Sequence, residues 1–141
     1  MAEPHVLFVC LHGAAKSVIA AMHFQQMAAR RGLQVGATFA GTEPDAAIAP
    51  RVVKELLSEG IDLQAARPRL VTAADVASAS RIVTFGCDLE ALRPHVPVDR
   101  WDDVPAVSDD YATALEAIDA RVSRLVEELA GNPATAPRAA G

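Results

Sequence analysis

Apolar residues along this chain alternate between two rhythms. Val6-Leu7-Phe8-Val9 is an unbroken apolar run and predicts a short buried strand. Val18 to Arg31 then carries Ala20, Phe24 and Met27 at spacings that share one helix face. Arg30 and Arg31 fall in its last turn, where cations suit the helix dipole, and Gly32 can end it. From Leu33 to Thr42, Val35, Ala37 and Phe39 alternate as a strand does, and Gly41 closes it near a turn. Pro50 suits a first helical position, Arg51 to Glu59 is amphipathic, and Gly60 is a cap. Thr72 with Asp75 has capping-box spacing and predicts a short helix through Ala79. Ile82-Val83-Thr84-Phe85, inside Arg81 to Gly86, predicts a third strand, and Asp88 to Leu92 one or two helical turns. Val96 to Trp101 predicts a short fourth strand or extended segment, and Pro97, which cannot donate to a ladder, argues for an edge or a strand start. Ser108 is expected to cap the last helix, with Asp109 and Asp110 in its first turn. Tyr111, Leu115, Ile118, Val122, Leu125 and Leu129 make one apolar stripe, which Gly131 stops.

Strands that alternate with helices predict an α/β fold, a four-stranded parallel sheet covered on both faces. One domain is expected over residues 1–131, and the proline- and alanine-rich residues 132–141 are expected to be a disordered tail. In such sheets ligands bind beyond the carboxyl ends of the strands. Cys10, Thr42 and Cys87 all stand at or just past predicted strand ends, so one crevice can collect them.

Composition narrows the options. The hydrophobic share is 51% with only 4% aromatic, so alanine and the aliphatics make the core. The net charge of −5 argues against a nucleic-acid partner. No apolar run approaches a membrane span, and no secretory signal is expected, since no cationic segment followed by a long apolar core is read near residue 1. Two cysteines cannot make a disulfide framework, and a cytoplasmic location is expected.

The chemistry concentrates in Cys10-Leu11-His12-Gly13-Ala14-Ala15-Lys16-Ser17, between the first strand and the first helix. A helix start presents unpaired N–H groups and partial positive charge, which suits an anion. The same setting favours the anionic, nucleophilic form of a thiol. A loop of small residues lets the N–H groups of Leu11, His12, Gly13, Ala14, Ala15, Lys16 and Ser17 converge on an oxyanion. Ser17 can donate to a thiolate or simply cap the helix, and Cys10 read alone can equally be a packing cysteine. A nucleotide-binding reading of Gly13 to Ser17 is weak, because that motif needs a longer loop and glycine before the lysine, where Ala15 stands. None of His5, His12, His23 and His95 has metal-ligand spacing.

Cys10-x5-Lys16-Ser17 after a strand resembles the C-x5-R-S loop of the low-molecular-weight protein tyrosine phosphatases and of the arsenate reductases that share their fold. Ala40-Gly41-Thr42 resembles the S-A-G-T segment of that family, and Pro50 to Asp62 its P-x-x-V-x-x-L-x-E-x-G-I-D helix. Arg67-Pro68-Arg69 resembles a basic segment of the reductase branch. Ile82-Val83-Thr84-Phe85 resembles the strand leading to a redox cysteine, and Trp101 to Ala106 the W-G-x-D-D-P-A segment. The likeness runs over roughly residues 5–130 and implies a three-layer sandwich with a four-stranded parallel sheet.

The departures bear on activity. Lys16 replaces an arginine, exchanging a planar two-point grip for a mobile point charge. His12-Gly13 replaces Gly-Asn. Val104 stands before Pro105 where the family has its acid, leaving Asp103 or Asp102 to substitute, and the aromatic pair of the phosphatase branch is missing. Cys87 sits one residue beyond the first redox position, which Gly86 occupies, and Arg93 takes the second. The resemblance implies an arsenate-reductase-like thiol enzyme with no resident cofactor. Cys10 would attack a tetrahedral oxyanion held by the loop and Lys16, and Ser17 would steady the thiolate. Asp103 or Asp102 would protonate the leaving oxygen, and Cys87 or an external thiol reductant would complete reduction. A phosphomonoesterase, with water resolving a phosphocysteine, is one alternative. A degenerate oxyanion-binding protein is another.

Overall fold

The structure is a computed structural model that describes residues 4–132. The predicted tail lies outside these residues except for Asn132. Strands β1 (His5–Cys10), β2 (Gly36–Gly41), β3 (Arg81–Phe85) and β4 (Val98–Arg100) form one sheet in the order β2-β1-β3-β4. Every pairing is parallel. Helix α1 (Lys16–Arg30) connects β1 to β2, helices α2 (Pro50–Ser58) and α3 (Ala73–Ser78) connect β2 to β3, a 3-10 turn at Glu90–Leu92 lies between β3 and β4, and α4 (Tyr111–Ala130) follows the last strand. As expected, β4 is an edge strand.

Period-two alternation along β1 sorts the core into two halves. Val6, Phe8 and Cys10 share a cluster with residues of α1, α2 and α4, including Phe24, Leu56 and Ile118. Leu7 and Val9 join Val76 of α3 with Ile82, Cys87 and Leu89. The sheet is thus the middle of three layers. Phe8 is wholly buried and meets Phe24 and Trp101 at ring-centroid distances of 5.9 and 6.0 Å, tying α1 through the central strand to the end of β4.

Several boundaries differ from the expectation. Helix α1 opens at Lys16, not Val18, and its N-cap is Ala15, which offers no side-chain cap. Ser17 therefore lies in the first turn, buried, with its hydroxyl turned to Cys10. Ser108 does not cap α4. Asp110 does, because its carboxylate accepts from both the amide and the hydroxyl of Thr113, at 3.0 and 2.7 Å. Along the stripe of α4, Ala114 is wholly buried and Leu115 only partly. The second strand begins at Gly36, and Leu33 and Val35 are buried in the approach to it. The Thr72–Asp75 capping box is present in both directions. No helix among the described residues is long and apolar enough to cross a membrane.

Candidate active site

The loop between β1 and α1 is held by an adjoining stretch of chain after β2. The amides of Thr42, Glu43, Asp45 and Ala49 donate to the carbonyls of Cys10, Leu11, His12 and Ala14, at 3.3, 2.7, 3.1 and 2.9 Å. In a planar trans peptide the following N–H points opposite to its carbonyl. The N–H groups of Leu11, His12, Gly13 and Ala15 therefore turn away from that stretch. Gly13 makes the loop possible. It adopts φ +59°, and a Cβ there would lie 2.8 Å from the Gly41 nitrogen. A Cβ on Gly41 would lie 2.6 Å from the Gly13 nitrogen, so two glycines let backbone lie on backbone.

The loop borders a cavity of about 500 Å³. Cys10, Leu11, His12, Ala14, Ala15 and Lys16 form its floor. Asp45, Ala49, Pro50 and Arg51 wall one side, and Phe85, Ala106, Val107 and Ser108 another. The N-termini of α1 and α2 both border it, and neither has an acidic residue in its first turn. Two positive helix ends thus face one cavity.

Cys10 is 7% exposed, and the Ser17 hydroxyl lies 3.0 Å from its sulfur, placed to donate to a thiolate. The Lys16 ammonium donates to the Val104 carbonyl at 2.9 Å, tying the loop to the chain after β4. His12 borders the cavity with Nδ1 3.2 Å from Asp45 Oδ1 and 3.3 Å from the Glu43 carbonyl. Arg51 lies over the Tyr111 ring, its guanidinium carbon 4.7 Å from the centroid.

Not every expected residue reaches the cavity. Asp102 accepts from the Gly86 amide at 2.9 Å and from Arg100 at 3.1 Å. Asp103 puts both carboxylate oxygens on Arg121. Neither lines the cavity. Cys87 is buried in the α3 half of the core, whereas Cys10 belongs to the other half. Its thiol donates to the Val9 carbonyl at 3.4 Å, and both cysteines are free thiols. Burial pushes the Cys87 thiol up, and the nearby Cys10 adds to the shift. Thr42 supports the loop through its amide and does not line the cavity. The basic segment is local scaffolding: Arg67 donates to the carbonyls of Gln64 and Ala66, and Arg69 pairs with Asp75 at 2.7 Å. Asp45, Arg51 and Ser108 were not among the expected site residues. The first two follow the end of β2, and in this class of sheet such a position is itself a signal. Among the described residues no group of three His, Cys, Asp or Glu side chains is arranged to hold a metal.

Comparison with known proteins agrees with this fold. A family model described as low molecular weight phosphotyrosine protein phosphatase matches residues 5–99, ending before Asp102 and Asp103. A search of curated proteins finds no match. Among solved structures, the thioredoxin-dependent arsenate reductase of Corynebacterium glutamicum aligns at 26% identity with a TM-score of 0.74. That alignment covers 89% of this chain, which spans 61% of the other. The arsenate reductase of Archaeoglobus fulgidus aligns at 28% identity and a TM-score of 0.65, covering 86% of this chain and 98% of its own. The low molecular weight protein tyrosine phosphatase of T. tengcongensis aligns at 20% identity and 0.76, covering 89% and 99%, a likeness of fold.

Proposed function

The chain belongs to the low molecular weight phosphotyrosine protein phosphatase family, and on that premise we propose that it is a phosphomonoesterase working through Cys10. The thiolate attacks phosphorus while the loop N–H groups hold the three non-bridging oxygens. The ester P–O bond breaks, the alcohol leaves with a proton, and a phosphocysteine remains. Water then attacks phosphorus, the S–P bond breaks, and phosphate departs.

One observation carries this reading. The Cys10 loop, with Leu11, forms the floor of a cavity of about 500 Å³ whose walls present Ala49, Pro50, Ala106 and Val107. That volume falls in the range that takes an organic ligand, and a bare tetrahedral anion needs far less. Hydrolysis also requires no second thiol at the site. Purified protein should hydrolyse a small aryl phosphate without added thiol, and Cys10→Ser should abolish turnover. Turnover that survives Cys10→Ser would overturn the proposal.

Arsenate reduction is the second reading, favoured by the two arsenate reductases at 26% and 28% identity. Cys10 would displace water from arsenate, and a second thiol would attack the Cys10 sulfur. Arsenite would then leave with the electron pair of the S–As bond, and a disulfide would form. With the Cys87 thiol on the Val9 carbonyl and outside the cavity lining, an external thiol is the reading adopted for that step. Thiol-dependent arsenate consumption that persists in Cys87→Ser is the expected sign; its loss in that variant would point to an internal relay.

A further inference from the structure

Ester hydrolysis needs a proton at the departing oxygen, and the aspartates expected to supply it are spent elsewhere. Asp102 is held by the Gly86 amide and Arg100, and Asp103 by Arg121. The titratable side chains bordering the cavity are Cys10, His12, Lys16, Asp45 and Arg51. Cys10 is the nucleophile, while Lys16 and Arg51 serve as cations. His12 and Asp45 remain, and they face each other: His12 Nδ1 is 3.2 Å from Asp45 Oδ1. The Glu43 carbonyl lies 3.3 Å from the same nitrogen, and the Asp45 amide donates to the His12 carbonyl at 3.1 Å. Two acceptors around Nδ1 place a proton on that nitrogen and leave Nε2 as the exchanging end.

We propose that His12, oriented by Asp45, is the general acid and base of this site. The inference rests on the hydrolytic reading above. Protonated His12 gives its Nε2 proton to the leaving oxygen as the P–O bond breaks, and the Asp45 carboxylate steadies the imidazolium. Neutral His12 then takes a proton from the water that attacks the phosphocysteine, restoring the starting state. Asp45 is a positioning residue, acting through His12.

Leaving-group dependence tests this. A dinitrophenolate leaves without a proton, whereas phenolate needs one, so loss of the acid falls on phenyl phosphate. His12→Gln is expected to lower phenyl phosphate turnover by roughly a hundredfold or more and to spare 2,4-dinitrophenyl phosphate to within about tenfold. Retained dinitrophenyl turnover also reports that the variant is folded. Asp45→Asn should show the same selectivity with a smaller loss, and free imidazole should restore phenyl phosphate turnover to His12→Ala. Equal losses on both esters in His12→Gln overturn the inference and leave the hydrolytic reading intact. Selective loss in Asp103→Asn, with His12→Gln unaffected, also overturns it. A wild-type protein inert toward both esters overturns the hydrolytic reading and this inference together.

Discussion

Gly13 and Lys16 show what single residues decide here. Gly13 holds φ +59° against Gly41, so Gly13→Ala combines left-handed strain with backbone contact at 2.8 Å. The strain alone costs of the order of 1–3 kcal/mol. We expect Gly13→Ala to lower the urea midpoint and to lose phosphate binding, whereas Gly60→Ala, with open space around its Cβ, should lose only stability. Phosphate binding undiminished in a folded Gly13→Ala would show that binding does not depend on this turn. Lys16 carries the charge of the loop but donates to Val104. An arginine there presents five donors in a fixed fork. Lys16→Arg should therefore tighten vanadate or phosphate binding by roughly tenfold, the worth of one charge-assisted hydrogen bond. Calorimetric titration measures this, and weaker binding in Lys16→Arg would mean that the Val104 tether matters more than the fork. Both residues were legible as loop residues from the chain alone. The left-handed turn and the tether were not, because each depends on a segment distant in sequence.

Caps decide the elements. The Thr72–Asp75 box opens α3, and burial works against the Asp75 charge. The Arg69 guanidinium and the Thr72 amide and hydroxyl nevertheless hold its carboxyl below the usual range. Thr72→Ala should cost about 1 kcal/mol of stability in urea melts and leave turnover unchanged, because α3 packs on the sheet face away from the cavity. The box was readable at the sequence level because its residues are only three apart. The cap of α4 was not: Ser108, Asp109 and Asp110 are all plausible caps by type. The choice fell to Asp110 because its carboxylate meets both donors of Thr113, while Ser108 went to the cavity wall.

At the scale of the whole molecule, buried His23 joins three helices. Its Nδ1 meets Asp119 of α4 at 2.5 Å, and its Nε2 lies 2.8 Å from Glu59, just after α2. The hydrogen bond to Asp119 raises its pKa above the ordinary 6.5, burial opposes this, and the charges of Asp119 and Glu59 reinforce it. A raised folded-state pKa stabilises the native protein fully below about pH 6.5, the unfolded value, and that contribution is lost as pH rises through the folded pKa. The melting temperature should therefore fall as pH rises above the unfolded value, and His23→Gln should flatten that slope; an identical slope in the variant would assign it to other groups. His23 falls within a predicted helix, but nothing local in the chain foretells partners from two other helices. The same division holds throughout. Hydrophobic rhythm, caps within one turn and the order of strands and helices are local properties, so the sequence by itself determined the α/β class, the parallel sheet, the loop after the first strand and the family likeness. Side-chain company is not local. Two residues past Phe85, Cys87 packs in the α3 half of the core, and the folded chain carries Asp102 and Asp103 to Gly86, Arg100 and Arg121. It also brings Asp45 to His12, where the parallel pairing of β1 with β2 and the loop hydrogen bonds beyond it lay the two segments side by side. The tertiary structure decided which thiol faces the cavity and which acids do, because those depend on where distant segments meet.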